Sequence, residues 1–304
     1  ESDTYDWPVL NESDAVAMCY TSGTTGDPKG VVYSHRSQVL HAYAAVAPDA
    51  LNLSNRDTIL PVVPLFHVNA WGIPYAAPMV GAKIVFPGPK MGDGETLYNL
   101  MENEQVTASL GVPTIWSELL QYLEKTGNTL NSLQRTVIGG AAVPESMIRA
   151  FQEQHDVVVN QGWGMTEMSP LGTVNTMKAG LLESLSGDEA ITLRAKAGRG
   201  IYGVEMRIVD DEDNELAWDG EQAGALQVRG PWVCSDYYRL DRDVNSHTED
   251  GWFNTGDVAR IDAQGYLQIT DRTKDVIKSG GEWISSVELE NAAVGHPAVA
   301  EAAA

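Results

Sequence analysis

Thr21-Ser22-Gly23-Thr24-Thr25-Gly26-Asp27-Pro28-Lys29-Gly30 follows directly on the apolar run at residues 15–20. The run reads as a strand, and the segment after it offers hydroxyls, bare backbone amides and one cation together. Those are the groups that polyphosphate oxygens need, because glycine lets the backbone approach closely and lysine supplies charge. The loop is not a Walker A motif: Gly30, rather than a magnesium-binding hydroxyl, follows Lys29. A Gly/Ser/Thr linker shares this composition, but such linkers rarely follow a buried strand directly.

Beyond the loop, short apolar runs at 58–63, 83–86, 106–110, 136–138 and 157–160 alternate with helical patterns. Helices are expected after Ser34, around 68–79, at 95–105, after Pro113 and after Pro144, where proline is tolerated in a first turn. With residues 15–20 as a further strand, this is the pattern of an α/β fold with a largely parallel sheet. From about Leu193 alternating strands take over, with 204–209 and 225–229 separated by the acidic run 210–215. Carboxylates this close repel one another and stay in water, so the run reads as a hairpin turn without a ligand. A last hairpin spans 258–270, and the charged stretch from Asp271 reads as a hinge. Beyond it, Ser285-x-x-Glu288 is a capping box opening a helix through Ala293. The expected organisation is a partial α/β region at 1–192, a β-rich subdomain of the same large domain at 193–271, and the start of a small C-terminal domain at 272–304. So short a segment cannot bury a core of its own, and the chain reads as cut from something longer.

Composition narrows the function. The 304 residues carry 20 Lys+Arg against 42 Asp+Glu, a net charge of −22. No basic surplus is available to neutralise a phosphate backbone, which argues against nucleic-acid or anionic-membrane binding. Cys19 and Cys234 lack any CxxC or Cys/His spacing, so neither a disulfide framework nor a zinc site is expected and a reducing cytoplasm fits best. No apolar run approaches the roughly 18 residues that a membrane span needs, and residues 1–7 do not read as a signal segment.

Three further segments carry chemistry. Asn160-Gln161-Gly162-Trp163-Gly164-Met165-Thr166-Glu167 ends a strand, where ligands collect in open α/β sheets. There Glu167 suits a divalent cation, Thr166 a phosphate and Trp163 a purine face, although a core tryptophan beside a surface carboxylate gives the same residues. Pro64-Leu65-Phe66-His67-Val68-Asn69-Ala70-Trp71 sets one histidine among apolar neighbours at a helix start, a setting in which a structural histidine is commoner than a catalyst. Trp252-Phe253-Asn254-Thr255-Gly256-Asp257 places a carboxylate after a glycine turn, fit to accept from sugar hydroxyls or to cap the turn. Gly198-Arg199-Gly200-Ile201-Tyr202-Gly203 matches G-x-G-x-x-G but precedes a strand, so it lacks the helix that dinucleotide binding requires. No G-x-S-x-G elbow and no H-E-x-x-H spacing occurs, which argues against hydrolases of those kinds.

In this order, YTSGTTGDPKG, GWGMTE and FNTGD resemble the adenylate-forming (AMP-binding) superfamily of acyl-CoA synthetases, luciferases and peptide-synthetase adenylation domains. The resemblance runs over essentially the whole chain. PVVPLFHVNAW at 61–71 and KSGGEWISS at 278–286 are similar to the medium- and long-chain fatty-acyl-CoA synthetase branch, 3-methylmercaptopropionate-CoA ligases included. Trp71 stands near where amino-acid-activating domains usually carry an Asp, which disfavours an amino-acid substrate.

The resemblance implies an ATP-dependent acid–CoA ligase acting through an acyl adenylate, with ATP, Mg2+, CoA and a small carboxylic acid as its ligands. Alternatives are a 3-methylmercaptopropionate-CoA ligase, a domain loading a carrier protein, or a nucleotide-binding fragment without turnover; a homodimer is left open. By the same resemblance, Thr21, Ser22, Gly23, Thr24, Thr25, Gly26 and Lys29 wrap the ATP phosphates, and Thr21 and Glu167 serve the magnesium. Gly140, Gln161, Gly162 and Trp163 line the adenine site and Asp257 holds the ribose, while Arg272, Lys274, Lys278 and Trp283 approach from the hinge and the small domain. Thr166, Glu167, Lys29 and His67 form the implied catalytic set; His67, Val68 and Trp71 border the acyl tunnel, with Trp71 as its gate. The family's upstream segment, and the late C-terminal lysine that contacts the substrate carboxylate, have no counterpart among these residues.

Overall fold

Strand β1 (Ala15–Tyr20) pairs antiparallel with β2 (Gly30–Ser34), and this hairpin stands apart from the main sheet. The computed structural model describes residues 4–21, 27–240, 246–279 and 282–284. The hairpin corrects the expectation that 15–20 joins the parallel sheet: its partner is the strand just beyond the loop. Ser34 then caps helix α1 (His35–Val46), with its hydroxyl accepting the Ser37 amide and the Ser37 hydroxyl accepting the Ser34 amide, both at 3.0 Å.

The main sheet has seven strands: β3 (Thr58–Val62), β4 (Lys83–Ile84), β5 (Ala108–Gly111), β6 (Arg135–Ile138), β7 (Val158–Gly164), β8 (Leu171–Val174) and β9 (Arg199–Gly200). Their order is β4-β3-β5-β6-β7-β8-β9. Pairing is parallel from β4 to β7 and antiparallel from β7 to β9. Apolar residues fill both faces, as a sheet covered by crossover helices requires. On one side Ala42 and Ala45 of α1 meet Ile73 and Ala76 of α2 (Ile73–Val80). On the other, Met101 of α3 (Gly94–Glu104), Trp116 and Leu119 of α4 (Pro113–Thr126) and Ile148 of α5 (Glu145–Arg149) pack with Phe151.

The expected helix over 68–79 is broken. Val68, Asn69, Ala70 and Trp71 have φ of 46°, 52°, 48° and 56°, a left-handed turn, and the right-handed helix begins only after Gly72. Non-glycine residues there carry roughly 1–2 kcal/mol of strain each. The turn persists because Val68 and Ala70 are buried and the Ala70 and Gly72 amides reach the His67 and Asn69 carbonyls at 3.1 Å.

After β8 the chain forms α6 (Ala179–Ser184) and α7 (Gly187–Arg194), neither of them expected, and passes through β9 into a four-stranded antiparallel sheet. That sheet comprises β10 (Glu205–Val209), β11 (Gly224–Arg229), β12 (Phe253–Ile261) and β13 (Leu267–Arg272) in sequential order. The acidic run is an exposed turn in which Asp210 accepts the Glu212 and Asn214 amides at 2.8 and 2.9 Å. Last come β14 (Ile277–Ser279) and β15 (Glu282–Ile284), paired with Lys278 opposite Trp283. The capping box at Ser285 and Glu288 lies outside the described residues.

Candidate active site

A cavity of about 430 Å3 opens at the C-terminal ends of β6 and β7. The chain reaches it from four directions. The loop after β1 brings Thr21 and Lys29, whose backbones are joined by the Thr21 amide donating to the Lys29 carbonyl at 2.9 Å. The Lys29 amide donates in turn to the Thr21 hydroxyl at 3.0 Å, so the two ends of the loop are fixed together. Ser22 to Gly26, expected to wrap phosphates, lie outside the described residues.

The second approach is the end of β7, which brings Gly162, Trp163, Gly164, Met165, Thr166 and Glu167 to the wall. A Cβ at Gly164 would overlap the Pro170 carbonyl, so glycine is needed where the chain doubles back into β8. Thr166 and Glu167 are buried, at 8% and 6% exposure, yet both line the cavity. The buried Tyr33 hydroxyl donates to the Thr166 carbonyl at 2.7 Å, and the Cys234 amide donates to the Glu167 carbonyl at 2.7 Å, fixing this backbone from two sides.

The left-handed turn brings the third set, His67, Val68 and Trp71. Partial burial holds the His67 imidazole below its ordinary pKa, so it is neutral at pH 7. The edge of the Trp71 ring lies 3.3 Å from where a Cβ on Gly139 would stand, so this glycine makes room for the ring. Gly140 follows with φ of 81° and also lines the cavity. Leu51, Leu110, Val137 and Leu171 complete an apolar wall beside Trp71.

The fourth approach is β13, from which Arg272 reaches the cavity and pairs with Asp257 at 2.9 Å. The other oxygen of Asp257 accepts from the Trp163 ring nitrogen at 3.0 Å. Asp257 is 4% exposed and its pKa is raised, chiefly by burial and against the pull of Arg272. The glycine before it, Gly256, has φ of 77° inside β12, so the expected turn is an irregularity within a strand. Asp257 and Gln161 are not among the lining residues: Gln161 accepts the Val143 amide at 3.2 Å. Lys274 is exposed, 3.8 Å from Asp275, and also away from the wall. Lys278 and Trp283 are placed only as backbone partners on β14 and β15.

Sequence reasoning missed Tyr237. It lines the cavity, is buried at 8% exposure, and donates its hydroxyl to Glu167 at 2.6 Å. Its ring lies 4.8 Å from the Lys29 ammonium. The missed signal is only a tyrosine pair following Asp236, and nothing local ties it to a glutamate 70 residues earlier.

No group of three metal-binding side chains occurs among the described residues. The donor set nevertheless suits Mg2+, which is commonly held by one or two carboxylates together with substrate phosphates. Glu167 supplies a buried carboxylate with one oxygen engaged by Tyr237 and no ion pair among the described residues.

Comparison with known proteins decides the family. A family model described as AMP-binding enzyme matches residues 2–238. The chain belongs to the AMP-binding enzyme family. It is 55% identical over 301 residues to a medium-chain-fatty-acid–CoA ligase of Ectopseudomonas oleovorans, covering 99% of this chain and 54% of that protein. It is 54% identical to a 3-methylmercaptopropionyl-CoA ligase of Ruegeria pomeroyi, covering 98% of this chain and 55% of that protein. Among solved structures, ATP-bound MatB from Rhodopseudomonas palustris matches with a TM-score of 0.81 at 27% identity, over 99% of this chain and 57% of that one. The chain thus spans about half the length of the curated relatives it matches. The fold expected of an AMP-binding enzyme is the one found, with a β-rich sheet beside a helix-covered parallel one.

Proposed function

We propose that the protein carrying this chain is an ATP-dependent acid–CoA ligase that activates a fatty or related aliphatic acid through an acyl adenylate. The observation that carries this reading is one cavity with two chemistries. Thr21, Lys29, Thr166, Glu167 and Arg272 form a polar side, and Leu51, Leu110, Val137, Leu171 and Trp71 form an apolar one.

In the first step the acid's carboxylate oxygen attacks the α-phosphorus of ATP and pyrophosphate leaves. In the second the CoA thiol sulfur bonds to the acyl carbon and the acyl C–O bond breaks. AMP leaves with the former carboxylate oxygen on its phosphorus, and the thiol proton is released. The first step joins two anions, so its barrier is largely electrostatic and is lowered by charge already in place. Lys29 is that charge on the phosphate side, held by the closed ends of its loop. Glu167 with Thr21 would hold the magnesium, which when bound neutralises phosphate charge. Trp163, backed by its hydrogen bond to Asp257, offers a ring to the adenine, and the Arg272 guanidinium offsets part of the burial that raises the Asp257 pKa. Neutral His67 and Trp71 sit where the acyl chain meets the nucleotide, which suits Trp71 as a gate. The medium-chain and 3-methylmercaptopropionyl ligases match equally well, so an unbranched aliphatic acid is the substrate class proposed.

Among the described residues no helix is long and apolar enough to cross a membrane, and Cys19 and Cys234 are both free thiols. A reducing cytoplasm is the compartment proposed. The test is product analysis with the whole protein, CoA and a series of aliphatic acids. The reading predicts AMP and acyl-CoA in equal amounts; ADP as the nucleotide product would refute it.

A further inference from the structure

Tyr237 lies in a segment fastened to both charged walls of the cavity. The Cys234 amide donates to the Glu167 carbonyl at 2.7 Å, and the Tyr238 amide donates to the Gly30 carbonyl, just past Lys29, at 2.8 Å. Between these two fastenings the Tyr237 side chain repeats the connection. Its hydroxyl donates to Oε1 of Glu167 at 2.6 Å while its ring faces the Lys29 ammonium at 4.8 Å. Lys29 and Glu167 form no ion pair with each other, although both line one cavity.

A lysine and a buried glutamate that share a cavity attract strongly where water is scarce. Direct pairing would neutralise the cation needed by phosphate and the carboxylate needed by a metal. A tyrosine between them offers each a weaker partner, a ring face for the ammonium and a hydroxyl for one carboxylate oxygen. With Oε1 occupied, Glu167 presents Oε2 alone, the single-oxygen mode that compact Mg2+ coordination favours. Phenylalanine would keep the ring and lose the donor; serine would keep a hydroxyl and lose both reach and ring.

We propose that Tyr237 is a positioning residue: it holds Lys29 and Glu167 apart and oriented, so that one stays available to phosphate and the other to the metal. This rests on the ligase reading above, and the test separates the two. In the whole protein, Tyr237→Phe should raise the Mg2+ concentration for half-maximal pyrophosphate exchange about ten-fold, as loss of an outer-shell partner to a metal ligand does. Its KM for ATP at saturating Mg2+ should stay within about two-fold of wild type, because the ring remains over Lys29. Tyr237→Leu should raise that KM about five-fold as well, since the cation loses its aromatic partner.

Binding of Mn2+ in the presence of a non-hydrolysable ATP analogue, followed by electron paramagnetic resonance, gives a readout that needs no turnover. Tyr237→Phe should weaken it by the same factor. In a Glu167→Gln background the same change should add less than about two-fold, because the carboxylate it serves is gone. Unchanged metal dependence in a folded Tyr237→Phe protein, or full additivity with Glu167→Gln, overturns the proposal. If Tyr237→Phe alone melts below the assay temperature, the double variant and the Tyr237→Leu comparison decide at reduced temperature. Wild-type protein that binds the Mn2+ complex but exchanges no pyrophosphate would refute the ligase reading and leave the Tyr237 test standing.

Discussion

Acidification between about pH 6.5 and pH 4 should destabilise this protein chiefly through its one fully buried histidine among the described residues, His41. It is fully buried on α1, and its Nε2 accepts the Leu171 amide at 3.1 Å where β8 meets the cavity wall. Because Nε2 is an acceptor, the proton of the neutral ring is on Nδ1, which has no partner among the described residues. Nδ1 faces Gly72: a Cβ there would stand 3.0 Å away. Protonating Nε2 would set an N–H against the Leu171 N–H and bury a cation away from water, with the Trp232 ring 5.9 Å away between ring centres. Burial therefore lowers the pKa from 6.5 to about 4. The unfolded chain takes up a proton in this window that the folded chain refuses, so stability is complete above about 6.5 and falls as pH drops towards 4. At 1.36 kcal/mol per tenfold change in proton activity, the loss is about 3 kcal/mol. Urea unfolding of wild type and His41→Gln across this range would measure it, since glutamine keeps an acceptor and cannot be protonated. Wild type should lose about 3 kcal/mol more than the variant on going from pH 7 to 4. Parallel pH profiles would refute the assignment.

Trp71→Ala should change the preference between short and long acids by about ten-fold, the scale of one or two methylenes in an apolar pocket, with little effect on the KM for ATP; kcat/KM over an acid series measures it. Glu167→Gln should lower pyrophosphate exchange by about 100-fold, partly restored by excess Mg2+, because the amide holds the metal poorly. Gly164→Ala places a methyl group on the Pro170 carbonyl and should destabilise by about 3 kcal/mol in urea unfolding, without a new cavity to relieve it.

Much of this site was legible because its signals are local. The loop at 21–30 and the β7 end at 160–167 set glycine beside an apolar run, and serine or proline leads the helix starts at 34, 113 and 144; the structure has β1, β7, α1, α4 and α5 at these places. Ser186-x-x-Glu189 carries the same capping signal as Ser285-x-x-Glu288, and it starts α7, so the signal for that helix is local too. The left-handed turn at 68–71 was not readable: none of its four residues is glycine, and its conformation is imposed by burial of Val68 and Ala70. Pairing of β1 with β2 and the reach of Tyr237 to Glu167 depend on contacts that no local spacing announces.

The central claim, that one cavity joins an aliphatic acid to ATP, is tested most directly by acid-dependent exchange of isotope-labelled pyrophosphate into ATP. The whole protein carrying this chain should exchange label only when an aliphatic acid and Mg2+ are both present, and should do so without CoA. Exchange that ignores the acid, or none with any aliphatic acid under conditions where ATP binds, would contradict it.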